Sequence, residues 1–422
     1  MNTLGIITEY NPFHYGHLYH IEKSKEITNS DTVICIMNGN FVQRGEAALT
    51  DKWTRTKMAL ASGVDMVIEL PLVYGIRSAE FFSYGAISLL ERSGIVDNLA
   101  FGSESGDIIP LEETANILAN EDSYFKTRLQ KHLIKGLSFP KAREYAIKEY
   151  LSANPNQTTC ETNSLLEVIT EPNNILGIEY LKALKKLKSN IKPFTIKRSG
   201  SSYHSKNLDN QIASATAIRE KIYLEGLDSL RKNIPDKTYY FLKEEIHKNK
   251  IPIDLTLLGM MVLSSIRKHN TDQLKGFSEL DNGLENRIYN EAHNSANIDD
   301  LIYNIKTKAF TRTRIQRNLL HIFFDIKEND FKIIDENKPQ YLRVLGIKKE
   351  RGDLLSKLNK NSSLEVIINP AKYLKEINIE SNDPLIKSLS FDILATDIYT
   401  LLHKNPAYRQ GHMDFTTPLI KY

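Results

Sequence analysis

Leu4-Gly5-Ile6-Ile7-Thr8-Glu9-Tyr10-Asn11-Pro12-Phe13-His14-Tyr15-Gly16-His17 puts a strand, a stop and a helix start into one short stretch. Leu4 to Thr8 is an apolar run, and Asn11-Pro12 ends it because proline has no N–H to give to a sheet. From His14 to Ser24, Leu18, Tyr19 and Ile21 recur among polar residues at helical spacing. An open α/β sheet gathers ligands at such a junction, where strand carboxyl ends meet helix amino ends. Free backbone N–H groups and the positive end of the helix dipole favour a phosphate there. Gly16, lacking a Cβ, admits close approach of the backbone to a base or sugar. His14 and His17 lie three residues apart on one helix face and can donate hydrogen bonds to phosphate oxygens as charge builds in a transition state. Two plainer readings compete. The histidines could be caps or surface residues, or His14, His17 and His20 could hold a metal. No Asp, Glu or Cys completes a metal set locally, so no metal ligand is expected.

The alternation continues outward from this junction. Thr32 to Met37, Met66 to Leu70 and Asn98 to Gly102 read as further buried strands, with helices expected over Asp51 to Ser62 and Ser78 to Ser93. A later unit adds a helix from Leu176 to Leu187, a strand near Pro193 to Lys197 and a helix from Ser214 to Glu225. Strands apolar throughout, alternating with helices, imply a parallel sheet covered on both faces. The expected fold class is α/β with a Rossmann-like domain over 1–225. After Gly226 strand-like runs become scarce, apart from Leu364 to Ile368, and a mainly helical second domain is expected over 226–422. The 422 residues carry 55 basic and 52 acidic side chains, a net +3, so a polyanion would be held by local clusters and not by a global field. Two cysteines, Cys35 and Cys160, exclude a disulfide scaffold and a CxxC site. Met1-Asn2-Thr3-Leu4 does not look like a signal peptide, and Leu255 to Ile266 is too short to span a bilayer. A soluble, cytoplasmic protein is expected.

Several distant stretches join the opening segment in one pattern: Asn38-Gly39-Asn40-Phe41-Val42-Gln43-Arg44-Gly45-Glu46, Ala79-Glu80-Phe81-Phe82-Ser83, Phe101-Gly102-Ser103-Glu104, Pro172-Asn173-Asn174-Ile175-Leu176-Gly177, Ala213-Ser214-Ala215-Thr216-Ala217-Ile218-Arg219 and Thr311-Arg312-Thr313-Arg314-Ile315-Gln316-Arg317. Together they resemble the HxGH nucleotidyltransferase superfamily and, more narrowly, the bacterial tRNA(Met) cytidine acetate ligase family. The resemblance spans most of the chain. Tyr15 stands where Asn is common in that family, and Ser199 to Ser202 depart from its usual loop before Tyr203-His204. The resemblance implies an enzyme that makes acetyl-adenylate from acetate and ATP, then acetylates the wobble cytidine of elongator tRNA(Met). Its implied ATP contacts are Ile7, Thr8, Glu9, Tyr10, Asn11, Pro12, Phe13, His14, Tyr15, Gly16, His17, Leu18, Tyr19 and His20, with Gly102, Asn173 and Arg198. His14 and His17 are the expected catalytic pair. Mg2+ is expected with the triphosphate, without a protein ligand that can be named.

Three further stretches carry charge chemistry. Tyr180 to Leu208 holds eight Lys or Arg and no acid, either a solvated basic face or a grip on triphosphate or RNA backbone. Arg198 is its candidate for the nucleotide, since a guanidinium grips phosphate through two parallel hydrogen bonds. Ser214 to Arg219 resembles the second superfamily signature, although Ser214 also suits a plain N-cap. Leu301 to Phe324 has five Lys or Arg and no acid. As a helix it would put Arg314, Arg317 and His321 on one face, opposite Ile315, Leu319 and Ile322, and offer a basic stripe to tRNA. Two rival functions stay open on the residues alone: a metabolite nucleotidyltransferase that leaves RNA alone, and a non-catalytic RNA-binding protein with a vestigial HxGH site.

Overall fold

The computed structural model describes residues 2–154, 158, 160–198, 214–280 and 283–422. The expectations at Ser199 to Ser202, at Tyr203-His204 and over the last part of the basic run lie outside the described residues. The first elements are β1 (Thr3–Thr8), α1 (Tyr15–Thr28), β2 (Thr32–Asn38), β3 (Phe41–Val42), β4 (Glu46–Ala47), α2 (Lys52–Ala61), β5 (Met66–Leu70), α3 (Leu72–Gly75), α4 (Ala79–Ser93) and β6 (Asn98–Ser103). Next come α5 (Ile108–Ala119), α6 (Ser123–Ile134), α7 (Phe139–Ala153), α8 (Thr162–Val168), α9 (Pro172–Leu187), β7 (Lys192–Lys197) and α10 (Ala215–Glu225). Beyond Gly226 lie α11 (Asp236–His247), α12 (Leu255–Arg267), α13 (Thr271–Leu274), α14 (Leu284–Asn294), α15 (Ile298–Ile305), α16 (Arg312–Phe323) and α17 (Glu328–Asn337). The chain finishes with β8 (Tyr341–Ile347), α18 (Gly352–Asn361), β9 (Glu365–Ile367), α19 (Pro384–Leu401), α20 (Met413–Thr416) and β10 (Ile420–Lys421).

One eight-stranded sheet runs β10-β8-β5-β2-β1-β6-β7, with β9 also paired to β8. β1 pairs in parallel with β2 and β6, and the parallel pattern continues to β5 and β7. Every residue of β2 and β5 is buried, which is why these strands are apolar without alternation. Strand order turns back at β1, with β2 on one side and β6 on the other. The crevice for a ligand therefore opens above the carboxyl ends of β1 and β6.

The boundary expected near Gly226 divides neither the sheet nor the core. β8 joins β5 antiparallel, with Ile68 opposite Val344 and Glu69 opposite Arg343. One continuous apolar core contains Leu4 and Val33 together with Leu263, Ile315 and Leu342. The expected texture after Gly226 thus misses β8, a fully buried strand whose partner is far away in sequence. Buried ions join the same elements: Lys52 Nζ lies 2.7 Å from Glu69 and 2.8 Å from Asp414, and Arg343 lies 2.6 Å from Asp414.

The basic stripe expected on α16 is not a free face. Ile315, Leu319 and Ile322 are buried as the periodicity implies, but so are Arg317 and His321. His321 Nε2 hydrogen-bonds the carbonyl of Ile76 at 3.0 Å, and Arg314 donates to the carbonyl of Glu279. Gly45, in the turn between β3 and β4, approaches the helix backbone closely at Gln316 and Arg317. Arg312, outside that stripe, is exposed and pairs with Asp299 at 2.9 Å. The first part of the Tyr180–Leu208 run is likewise spoken for: Lys182 pairs with Glu80 and Glu179, and Lys186 with Glu80.

Candidate active site

His14 is the N-cap of α1, in extended backbone, and its ring is 6% exposed. Its Nδ1 accepts the N–H of Gly16 at 3.0 Å, while His17 Nδ1 accepts the N–H of His14 at 3.3 Å. The two rings form a capping box normally built from Ser or Thr and Glu. They stack with centroids 3.7 Å apart. Tyr10 packs edge-on against His17 at 4.9 Å, and Phe13 lies 5.5 Å from it, so the imidazoles are wedged in place. Burial, then the charges of Arg198 and Arg219, hold the His14 pKa down at about 3. Burial, His14 and Arg198 push His17 well below its ordinary value, and burial with Arg198 brings His20 to about 4. At neutral pH His14 and His17 are therefore uncharged. With Nδ1 accepting, each carries its proton on Nε2. Of the amide donors at the α1 tip, those of His14 and Gly16 are thus taken by the rings, and each ring presents an Nε2–H in exchange.

A cleft of about 390 Å³ opens over this helix tip. It is lined by Ile7, Thr8, Glu9, Tyr10, His14, Gly16, His17, Tyr19 and His20, and across it by Gly102, Asn173 and Arg198. Asn11, Pro12, Phe13, Tyr15 and Leu18 do not line it. Phe13 belongs to the core, and Asn11 is structural: its Oδ1 accepts the N–H of Leu49 at 2.8 Å. A Cβ on Gly102 would come 3.3 Å from Arg198 Cγ, so glycine lets that side chain lie across the β6 edge. Ser214, Ala215, Thr216 and Arg219 also line the cleft. Ser214 Oγ caps α10 through the N–H of Ala217 at 3.2 Å, as the N-cap reading expects. Arg219 donates to the carbonyl of Asn11 at 2.8 Å and fastens α10 to the β1–α1 turn.

Three carboxylates line the cleft, and their engagements differ. Glu104 takes the N–H groups of Asn173 and Asn174 on its two oxygens at 3.2 and 2.8 Å, capping α9, and the Asn173 side chain also donates to it. Helix α9 begins at Pro172, earlier than expected, because this carboxylate supplies its missing acceptor. Glu46 meets Gln316 through one oxygen and Arg219 through the other, each at 3.4 Å. Among the described residues Glu9 accepts one hydrogen bond, from the N–H of Gln43 at 2.9 Å. Behind it, buried Arg55 donates to the carbonyls of Glu9, Asn38, Gly39 and Thr50, tying together the carboxyl ends of β1 and β2. The wall formed by Val42, Gln43, Arg44 and Glu46 falls in the quoted Asn38–Glu46 stretch, which the sequence did not assign to the site, and the brace of Arg55 carries no local sequence signal.

The family described as HIGH Nucleotidyl Transferase matches residues 1–414. The chain is 52% identical over its full length, and that of its relative, to a tRNA(Met) cytidine acetate ligase of Halothermothrix orenii. A protein of the same description from Acetivibrio thermocellus is 41% identical, again over the whole of both chains. Among solved structures, Thermotoga maritima TmcAL bound with alpha-thio ATP superposes with a TM-score of 0.92 at 33% identity, covering 100% of this chain and 99% of that one.

Proposed function

We propose a function for this chain from one premise: it belongs to the HIGH Nucleotidyl Transferase family, among the tRNA(Met) cytidine acetate ligases. It activates acetate with ATP and transfers the acetyl group to the wobble cytidine of elongator tRNA(Met), giving N4-acetylcytidine. The observation that carries the reading is the stacked neutral pair His14 and His17 at the tip of α1, inside a cleft on the β1–β6 edge. A carboxylate attacking an α-phosphorus in line needs positioning and charge dispersal more than it needs an acid. Two Nε2–H donors supply that without adding a charge, and Arg198 with Arg219 supplies the cations. Acetyl-adenylate and pyrophosphate result. The exocyclic amine then attacks the acyl carbon and AMP leaves.

ATP is read as a substrate, and Mg2+ as its companion. Among the described residues no three His, Cys, Asp or Glu side chains group as a metal cage, and Glu46 and Glu104 are already engaged. The cation would enter on the triphosphate, held chiefly by phosphate oxygens and water. Among the described residues no helix is long and apolar enough to cross a membrane. The cytoplasm is the proposed location because the proposed substrate is tRNA.

The test is incubation with ATP, labelled acetate and unmodified tRNA, followed by mass spectrometry of the digested RNA. Label in acetylcytidine, abolished by omitting either small molecule, is the expected result. Pyrophosphate release that ignores acetate and gains nothing from tRNA would instead mark a metabolite nucleotidyltransferase, which keeps the AMP on its own acceptor.

A further inference from the structure

The transfer half-reaction needs a group the adenylation step does not. An amine that adds to an acyl carbon becomes acidic and must lose a proton before the amide can persist. The imidazoles cannot take it: His14 and His17 accept backbone N–H groups at Nδ1 and hold protons on Nε2. His20 is a weaker base, held at about 4, with its Nε2 shielded. Of the cleft carboxylates, Glu104 takes three N–H groups over its two oxygens, and Glu46 is held between two side chains, Gln316 on one oxygen and the cationic Arg219 on the other. Glu9 is half-buried and takes, among the described residues, a single backbone hydrogen bond, which leaves acceptor positions over.

We propose that Glu9 is the base for acetyl transfer, accepting the proton of the attacking amine; the assignment rests on the function proposed above. The amine nitrogen bonds to the acyl carbon, its proton passes to the Glu9 carboxylate, and the bond from acyl carbon to phosphate oxygen breaks. AMP departs with that electron pair, and Glu9 later returns the proton to solvent. A carboxylate is also the side chain that accepts from the N4 amine of cytosine, so Glu9 orients the same group it deprotonates. The surroundings suit the task. Burial raises the Glu9 pKa, and Glu46 adds to this, while the Gln43 N–H, Arg44 and Arg219 restrain it. Tyr180 faces it from α9 and Arg55 from behind. The carboxyl is thereby moved toward the working pH, where a base is most effective.

Glu9→Gln tests this, since the amide keeps the oxygen that accepts from Gln43. Three rates are read on one preparation: acetate-dependent ATP–pyrophosphate exchange, acetohydroxamate formed when hydroxylamine traps the adenylate, and acetylcytidine formed in tRNA. Transfer to tRNA is expected to fall at least tenfold more than exchange, while trapping follows exchange, because hydroxylamine is a strong nucleophile that needs little help. In the wild type the transfer rate should rise with pH to a plateau as Glu9 ionises, and in the variant that rise should be absent. Equal loss in exchange and transfer, or undiminished transfer, overturns the proposal. If the variant does not fold, a wild-type transfer rate flat with pH from 4 to 8 overturns it instead. A wild-type protein that exchanges pyrophosphate with acetate but never acetylates tRNA rejects the functional reading itself, and with it the role of Glu9.

Discussion

In the proposed function, His14 and His17 do through capped rings what a phosphate site usually does with bare amides. The cap fixes the tautomer and burial fixes the charge, so the donor pair is built before any nucleotide arrives. His14→Ala is expected to lower acetate-dependent exchange at least tenfold, on the order of 1.4 kcal/mol of transition-state stabilisation. The same variant has a stability signature. The folded His14 pKa of about 3 lies below that of an unfolded histidine, about 6.5. Below pH 6.5 the unfolded chain gains a proton that the folded chain refuses, so stability falls as the solution is acidified from 6.5 toward 3. His14 contributes up to about 1.4 kcal/mol per pH unit to that slope. Urea midpoints at pH 7 and pH 5 should therefore differ less in His14→Ala than in the wild type. An unchanged difference would mean the ring is already protonated in the folded protein.

At the level of elements, the β3–β4 hairpin links the cleft to α16. Gly45, at φ +80°, presses on the helix backbone: a Cβ there would lie 2.5 Å from the N atom of Arg317. A few residues before it, Gln43 gives its N–H to Glu9 and its side chain donates to the carbonyl of Arg77. Gly45→Val combines an unfavourable left-handed φ with a backbone clash. It is expected to destabilise by about 1–3 kcal/mol, read from urea denaturation. Because the displaced hairpin carries Gln43, acetyl transfer should fall more than the stability loss alone implies. Stability equal to wild type would show that α16 yields to the new side chain.

Across the whole molecule, the late strand β8 and the short helix α20 close over the opening sheet through buried charge. Lys52, fully buried, meets Glu69 and Asp414, which also share Arg343. Lys52→Met leaves two buried carboxylates to a single guanidinium. Breaking such a network by removing one partner is expected to cost about 3–5 kcal/mol, visible as a lower denaturant midpoint. Since one core runs through both halves, the loss should appear in a single unfolding transition monitored by both near- and far-ultraviolet dichroism. Two separate transitions would show that the halves unfold independently.

The chain's own order of residues determined the alternating strands and helices from Thr3 to Gly102 and the strand–turn–helix that carries His14 and His17, but not the four successive helices α5 to α8. Both are local matters of apolar period, proline and cap. It also carried the signature at Ser214 to Arg219, because residue types at fixed spacing survive without knowledge of neighbours. Only the tertiary structure decided that β8 completes the sheet, that Arg317 and His321 are buried, and that Glu104 and Glu46 are engaged on both oxygens. In each case the partner lies tens to hundreds of residues away, and a charge read alone does not disclose what neutralises it. Which acid is left over to act as a base is a property of those distant pairings, and so it became legible only once the chain was folded.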